Sequence, residues 1–180
     1  MTDNTIFFLV NLIGGLLVLT SYVWGIVNFP FHRNLLWGDI SSNLKKIIIS
    51  SMVTGAIGYL FTFIWFWKII DSNSFYFGSN FGYNQIILLY SIFLGVSTLW
   101  MPFAIKSVIS KNIIHIYSVK LILLAAAIAS IIILYSIMTS QYFQNELIPY
   151  KKLAIFSWIL LSIHTIIFDS IIWSRKFNPK

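Results

Sequence analysis

Residues 116–138 read IYSVKLILLAAAIASIIILYSIM, a run with a single charged side chain, Lys120, near its start. At 1.5 Å per residue such a helix is about 35 Å long, enough to cross a hydrocarbon core roughly 30 Å thick. The run is continuous, unlike the alternating ~10-residue strands of a membrane barrel. A helix also satisfies its own backbone in lipid, which has no water to pair with exposed N–H and C=O groups. Four further stretches have the same character: 6–27, 47–67, 86–105 and 153–173. Short connectors with breakers separate the five: Pro30 and Gly38, Gly78 and Gly82, Lys111-Asn112, and Pro149. The first run is longer than the ~7–15 apolar residues of a signal peptide and has no basic residue before it, so it reads as a retained helix.

Composition agrees. Hydrophobic residues are 58% of the 180 and charged residues 9%, against ~45–50% and ~25% in soluble domains; mean hydropathy is +0.85. There is too little polar surface to coat a water-soluble globule, and no cysteine for a disulfide scaffold. A soluble enzyme and a disordered regulator are excluded with it. The expected fold is all-α: a single domain, residues 1–180, of five transmembrane helices in a multi-pass integral membrane protein. Either a plasma/inner membrane or an organelle membrane fits.

Lys and Arg accumulate on the cytoplasmic side of short loops. With the N-terminus outside, nine basic residues fall inside: Arg33, Lys45 and Lys46, then Lys106, Lys111 and Lys120, then Arg175, Lys176 and Lys180. Three fall outside, Lys68, Lys151 and Lys152. The expected orientation is therefore N-out, C-in. The net charge of +7 reads as topology plus attraction to anionic lipid head groups; no basic stretch is dense enough for nucleic acid. The tryptophans fall near the span boundaries, Trp24, Trp37, Trp100 and Trp173 at the inner one and Trp65, Trp67 and Trp158 at the outer one. That is the expectation for an interfacial aromatic belt.

Ionisable groups within spans are costly and are the first functional candidates. Lys120 in helix 4 and Asp169 in helix 5 fall at similar depth and can form an intramembrane ion pair; alternatively both snorkel to the head groups. His164 lies near mid-span. It either bonds a serine or backbone carbonyl across a helix interface, or contacts a ligand. On an α-helix Asp169 is about 140° around from His164, so the two are not expected to share a face. Pro102 removes the donor for the Thr98 carbonyl, leaving either a simple helix stop or a polar spot beside Trp100. Small residues at i, i+4 spacing (Ser51/Gly55 and Thr54/Gly58, Ala125/Ala129 and Ala126/Ser130) and the pair Gly14-Gly15 let helices approach closely, whether within the chain or between copies. No metal-ligand spacing, phosphate loop or catalytic set is present, so no catalytic or metal residue is expected.

Three short matches resemble the tryptophan-rich sensory protein family, the TspO and peripheral benzodiazepine receptor group. Trp100-Met101-Pro102 stands where its five-helix members carry W-x-P late in helix 3. Leu147-Ile148-Pro149-Tyr150 resembles L-x-P-Y at the start of helix 5. Phe168-Asp169-Ser170-Ile171-Ile172-Trp173 resembles L-N-x-x-I/V-W at its end, with aspartate for asparagine. Helix 3 departs from the family in lacking glutamine and asparagine before W-x-P. Pro149-Tyr150 also lies farther from Trp158 than the family's P-Y does from its tryptophan, and the first loop keeps only Pro30 and Trp37 of the family's proline- and tryptophan-rich one. The resemblance implies a bundle, often dimeric, holding a tetrapyrrole- or sterol-like ligand between helices. Carried over, it points to Trp100, Pro102, Trp173 and Asp169, with His164 added from its depth.

The function expected is therefore non-enzymatic binding or transport of a hydrophobic or tetrapyrrole-like ligand. One alternative is a structural or assembly subunit of a larger membrane complex. The other is an intramembrane proton pathway or enzyme in which Asp169, Lys120 and His164 share one cavity.

Overall fold

In the computed structural model, which describes residues 2–69, 76–77, 82–141 and 148–177, five helices are long and apolar enough to cross a membrane. They are α1 (Asp3–Asn28), α2 (Ser42–Ile69), α3 (Tyr83–Ser110), α4 (Ile113–Thr139) and α5 (Ile148–Ile163), which continues without a break into a π-helical segment (His164–Trp173) and a last turn, α6 (Ser174–Lys176). A 3₁₀ turn (Leu35–Trp37) punctuates the first loop, and the two-residue strands β1 (Tyr76–Phe77) and β2 (Ser140–Gln141) pair antiparallel beyond the bundle. Gly78, Leu147 and Lys180 lie outside the described residues.

Helix ends have local causes. Thr2 caps α1, its hydroxyl accepting from the Thr5 amide at 3.4 Å, and the Asn112 side chain caps α4 at the Ile114 amide at 2.8 Å. Lys111 takes the left-handed conformation (φ 51°) that ends α3 and lets α4 begin two residues later. Pro102 is not a helix stop: α3 runs on to Ser110. Loss of one N–H is tolerated there because only the Thr98 carbonyl loses its donor.

Contacts give the order of helices around the bundle as α1, α3, α4, α5, α2. Although consecutive, α1 and α2 approach each other little along their backbones; aromatic side chains and the Tyr59–Asn11 bond bridge them near the start of α1, so their seam is open only toward the first loop. Gly14, Gly55 and Gly58 serve intrachain packing, whereas nothing outside its own helix lies near a would-be Cβ on Gly15. A Cβ on Gly58 would sit 2.5 Å from the Ser157 carbonyl oxygen, and one on Gly55 3.2 Å from Leu161 Cδ1, so α2 meets α5 nearly backbone to backbone. Gly14 and Gly25 admit Leu94 and Met101 of α3 in the same way. Ser130 and Ser162 hydroxyls pair at 2.8 Å between α4 and α5, and the Trp158 indole donates to the Ser130 carbonyl at 2.9 Å.

Two apolar clusters fill the interior. Around the start of α1, Phe7, Phe66, Tyr90, Phe93 and Trp158 form a dense aromatic core, with the Tyr59 hydroxyl donating to Asn11 Oδ1 beside it. At the opposite end Leu36, Met101, Ile105, Val119, Trp173 and Phe177 form the second. The aromatic belt is thus only partial. Trp24 and Trp67 are exposed, whereas Trp65, Trp158 and Trp173 are buried in the protein; for Trp158 and Trp173 an inward-facing indole is satisfied by a carbonyl that accepts its N–H.

Candidate functional site

The first loop is tied to the C-terminal turn. The Trp173 indole donates to the Leu36 carbonyl at 2.8 Å, the Asp39 amide donates to the Lys176 carbonyl at 3.1 Å, and Trp173 stacks on Phe177 at 4.1 Å. Gly38 sits at φ 49°, and a Cβ there would run into the Lys176 carbonyl oxygen, so the contact requires glycine. Above this closure lies a cavity of about 450 Å³, walled by α1, the first loop, α2, α3 and the π segment. That volume falls in the ~300–1,000 Å³ range of small-molecule sites, which combine apolar walls with a few polar groups.

The π segment builds the polar wall. Its i→i+5 hydrogen-bond pattern brings residues five apart over one another, so His164 Nε2 stands 3.3 Å from Asp169 Oδ2. This overturns the α-helical expectation that the two could not share a face. It also corrects two proposed pairings. His164 is partnered by an acid of its own helix rather than by a serine or carbonyl across an interface, and among the described residues no ion pair joins Lys120 to Asp169. Lys120 is half-buried on α4 and does not line the cavity. An arrangement of Asp169, Lys120 and His164 in one cavity is therefore not formed.

His164, Asp169, Trp100 and Trp173 do line the cavity together; Pro102 does not. Tyr22 of α1 stacks on Trp100 at 5.2 Å, and Trp100 meets Trp173 edge-on at 5.7 Å, giving a continuous aromatic wall. Two polar atoms of this wall, Trp100 Nε1 and His164 Nδ1, are buried without a hydrogen-bond partner. A buried unsatisfied polar group costs about 1–3 kcal/mol, so both side chains would gain by turning these closed-off atoms toward a ligand that pairs with them. An indole N–H can only donate, whereas an imidazole nitrogen donates or accepts with its tautomer.

Sequence reasoning missed Tyr22, Arg33, Lys45 and Met52 as cavity residues. Arg33 and Lys45 were counted only as orienting charge; their signal was adjacency to the one loop that carries both Pro30 and Trp37. Among the described residues no group of three or more His, Cys, Asp or Glu could hold a metal ion. Compared with protein-family models, curated proteins and solved structures, the chain matches none.

Proposed function

We propose that this integral membrane protein binds, and passes on, a hydrophobic ligand of tetrapyrrole or sterol type in the cavity between α1, α2, α3 and the π segment, without chemical conversion. The observation that carries the reading is the pair of buried, unpartnered polar atoms, Trp100 Nε1 and His164 Nδ1, on side chains of one aromatic-walled cavity. The resemblance of Trp100-Met101-Pro102 and of the Asp169–Trp173 stretch to the tryptophan-rich sensory protein family points the same way. The orientation that goes with it, N-terminus outside, rests on nine basic residues against three.

Titrating protoporphyrin into the detergent-purified protein while following tryptophan fluorescence tests this reading. Saturable quenching is expected, weakened by His164→Ala and by Trp100→Ala. Quenching that never saturates, or that both substitutions leave unchanged, overturns it.

A second reading, a structural or assembly subunit of a larger membrane complex, draws on Gly15 and Gly95, helical glycines with no atom outside their own helix within 4 Å of a would-be Cβ. It expects other chains to co-purify in mild detergent; a clean monomer or homodimer removes it.

A further inference from the structure

The cavity is not electrically neutral along its length. The wall nearest the first loop carries three donors, Arg33, Asn34 and Lys45. Among the described residues neither Arg33 nor Lys45 has an acidic partner within ion-pair distance; Lys45 lies over the Trp37 ring at 4.6 Å. The single acid lining the cavity, Asp169, is already paired with His164 of the π segment. A cationic ligand would meet two fixed positive charges at this end, and a neutral one would leave them unused.

The cavity also reaches the outer surface of the bundle. Ile26 of α1 and Ile49 and Met52 of α2 line it, yet they are 46%, 38% and 36% exposed, at the first-loop end of the α1–α2 seam, away from the side chains that bridge the two helices near the start of α1. In a membrane that surface faces acyl chains, while Arg33 and Lys45, in the loop and the first turn of α2, stand at head-group level.

We propose that the cavity accepts an amphiphile bearing an oxyanion at one end, admitted sideways from the leaflet between α1 and α2, with the oxyanion held by Arg33 and Lys45 and the apolar body against Met52 and Trp100. The inference rests on the ligand-binding reading above and adds the charge of the ligand and its route. The oxyanion is a carboxylate or a phosphate ester; both accept the same charge-assisted hydrogen bonds.

The test compares protoporphyrin, a dicarboxylic acid, with its dimethyl ester, on the wild-type protein and on the Arg33→Gln/Lys45→Gln variant. The acid is expected to bind at least about tenfold more tightly than the ester, the variant to lose that preference, and the ester still to bind saturably with an affinity that falls far less than the acid's. That last result also reports that the variant is folded. Equal binding of acid and ester by the wild type overturns the oxyanion assignment while the cavity reading stands; binding of neither overturns both. Repeating the titration in phosphatidylcholine vesicles with and without phosphatidylglycerol separates the sources. Competition by phosphatidylglycerol against the acid alone supports a lipid phosphate, and its absence supports a free carboxylate. For the route, the chain has no cysteine, so Met52→Cys offers a single thiol at the seam. Bound porphyrin is expected to slow its labelling by an apolar maleimide; an unaltered rate overturns the lateral route.

Discussion

Gly58→Ala adds one methyl group at the tightest crossing of the bundle. Its Cβ would lie 2.5 Å from the Ser157 carbonyl oxygen and 3.1 Å from the carbonyl carbon, about 1 Å inside an ordinary separation of roughly 3.5 Å. Both contacts are backbone, so no side chain can rotate away; α5 itself must move. Overpacking of this kind costs about 1–3 kcal/mol. The displacement also strains the neighbouring Thr62 hydroxyl, which donates to the Gly58 carbonyl at 3.0 Å and to the Ala154 carbonyl at 3.3 Å across the same seam, adding about 1 kcal/mol. Alanine's better helix propensity returns up to about 1 kcal/mol, leaving a net loss of about 1–3 kcal/mol. Gly15→Ala and Gly95→Ala are the controls, since nothing lies within 4 Å of either added Cβ, and they should be neutral or slightly stabilising. Unfolding by sodium dodecyl sulfate in mixed micelles, followed by tryptophan fluorescence, measures all three. Porphyrin affinity should fall in Gly58→Ala as well, because the helix that must shift carries His164 one turn beyond Leu161. If Gly58→Ala is as stable as Gly15→Ala, the backbone-to-backbone account of the α2–α5 crossing is wrong.

Other outcomes follow from the polar contacts. Asp169→Ala should destabilise by about 1–3 kcal/mol by stripping buried His164 of its partner, and adding His164→Leu should recover part of that loss; a double-mutant cycle with no coupling would refute the pair. Trp173→Phe removes the indole donor to the Leu36 carbonyl, so trypsin should cleave after Arg33 faster while α1 and α2 stay intact; an unchanged cleavage rate would show that the loop is held otherwise. Reporter fusions at the two termini should report opposite sides of the membrane, the N-terminal one outside. Both on one side would contradict an odd number of spans.

The five helices long and apolar enough to cross a membrane were legible in composition and run length alone, because the cost of placing an unpaired backbone or a charge in lipid dominates every other consideration. Four of the five residues singled out as ligand contacts, His164, Asp169, Trp100 and Trp173, do meet in one cavity, but no periodicity argument placed them there. In water a helix shows its buried side by an apolar stripe. In lipid both the bundle-facing and the outward-facing sides are apolar, as Ile131 and Ile133 on α4 illustrate, one exposed and the other fully buried. Facing therefore emerges only from how small residues let helices touch. So the tryptophans could be placed by depth but not by direction, and Gly58 could be recognised as a contact residue without its partner. The His164–Asp169 pair was hidden for a different reason. Its spacing is wrong for an α-helix, and only the i→i+5 turns of helix 5, held within the packed bundle, bring the two side chains to the same face. Chemistry that depends on solvent preference was written in the order of residues; chemistry that depends on which turn of backbone lies over which was decided by packing.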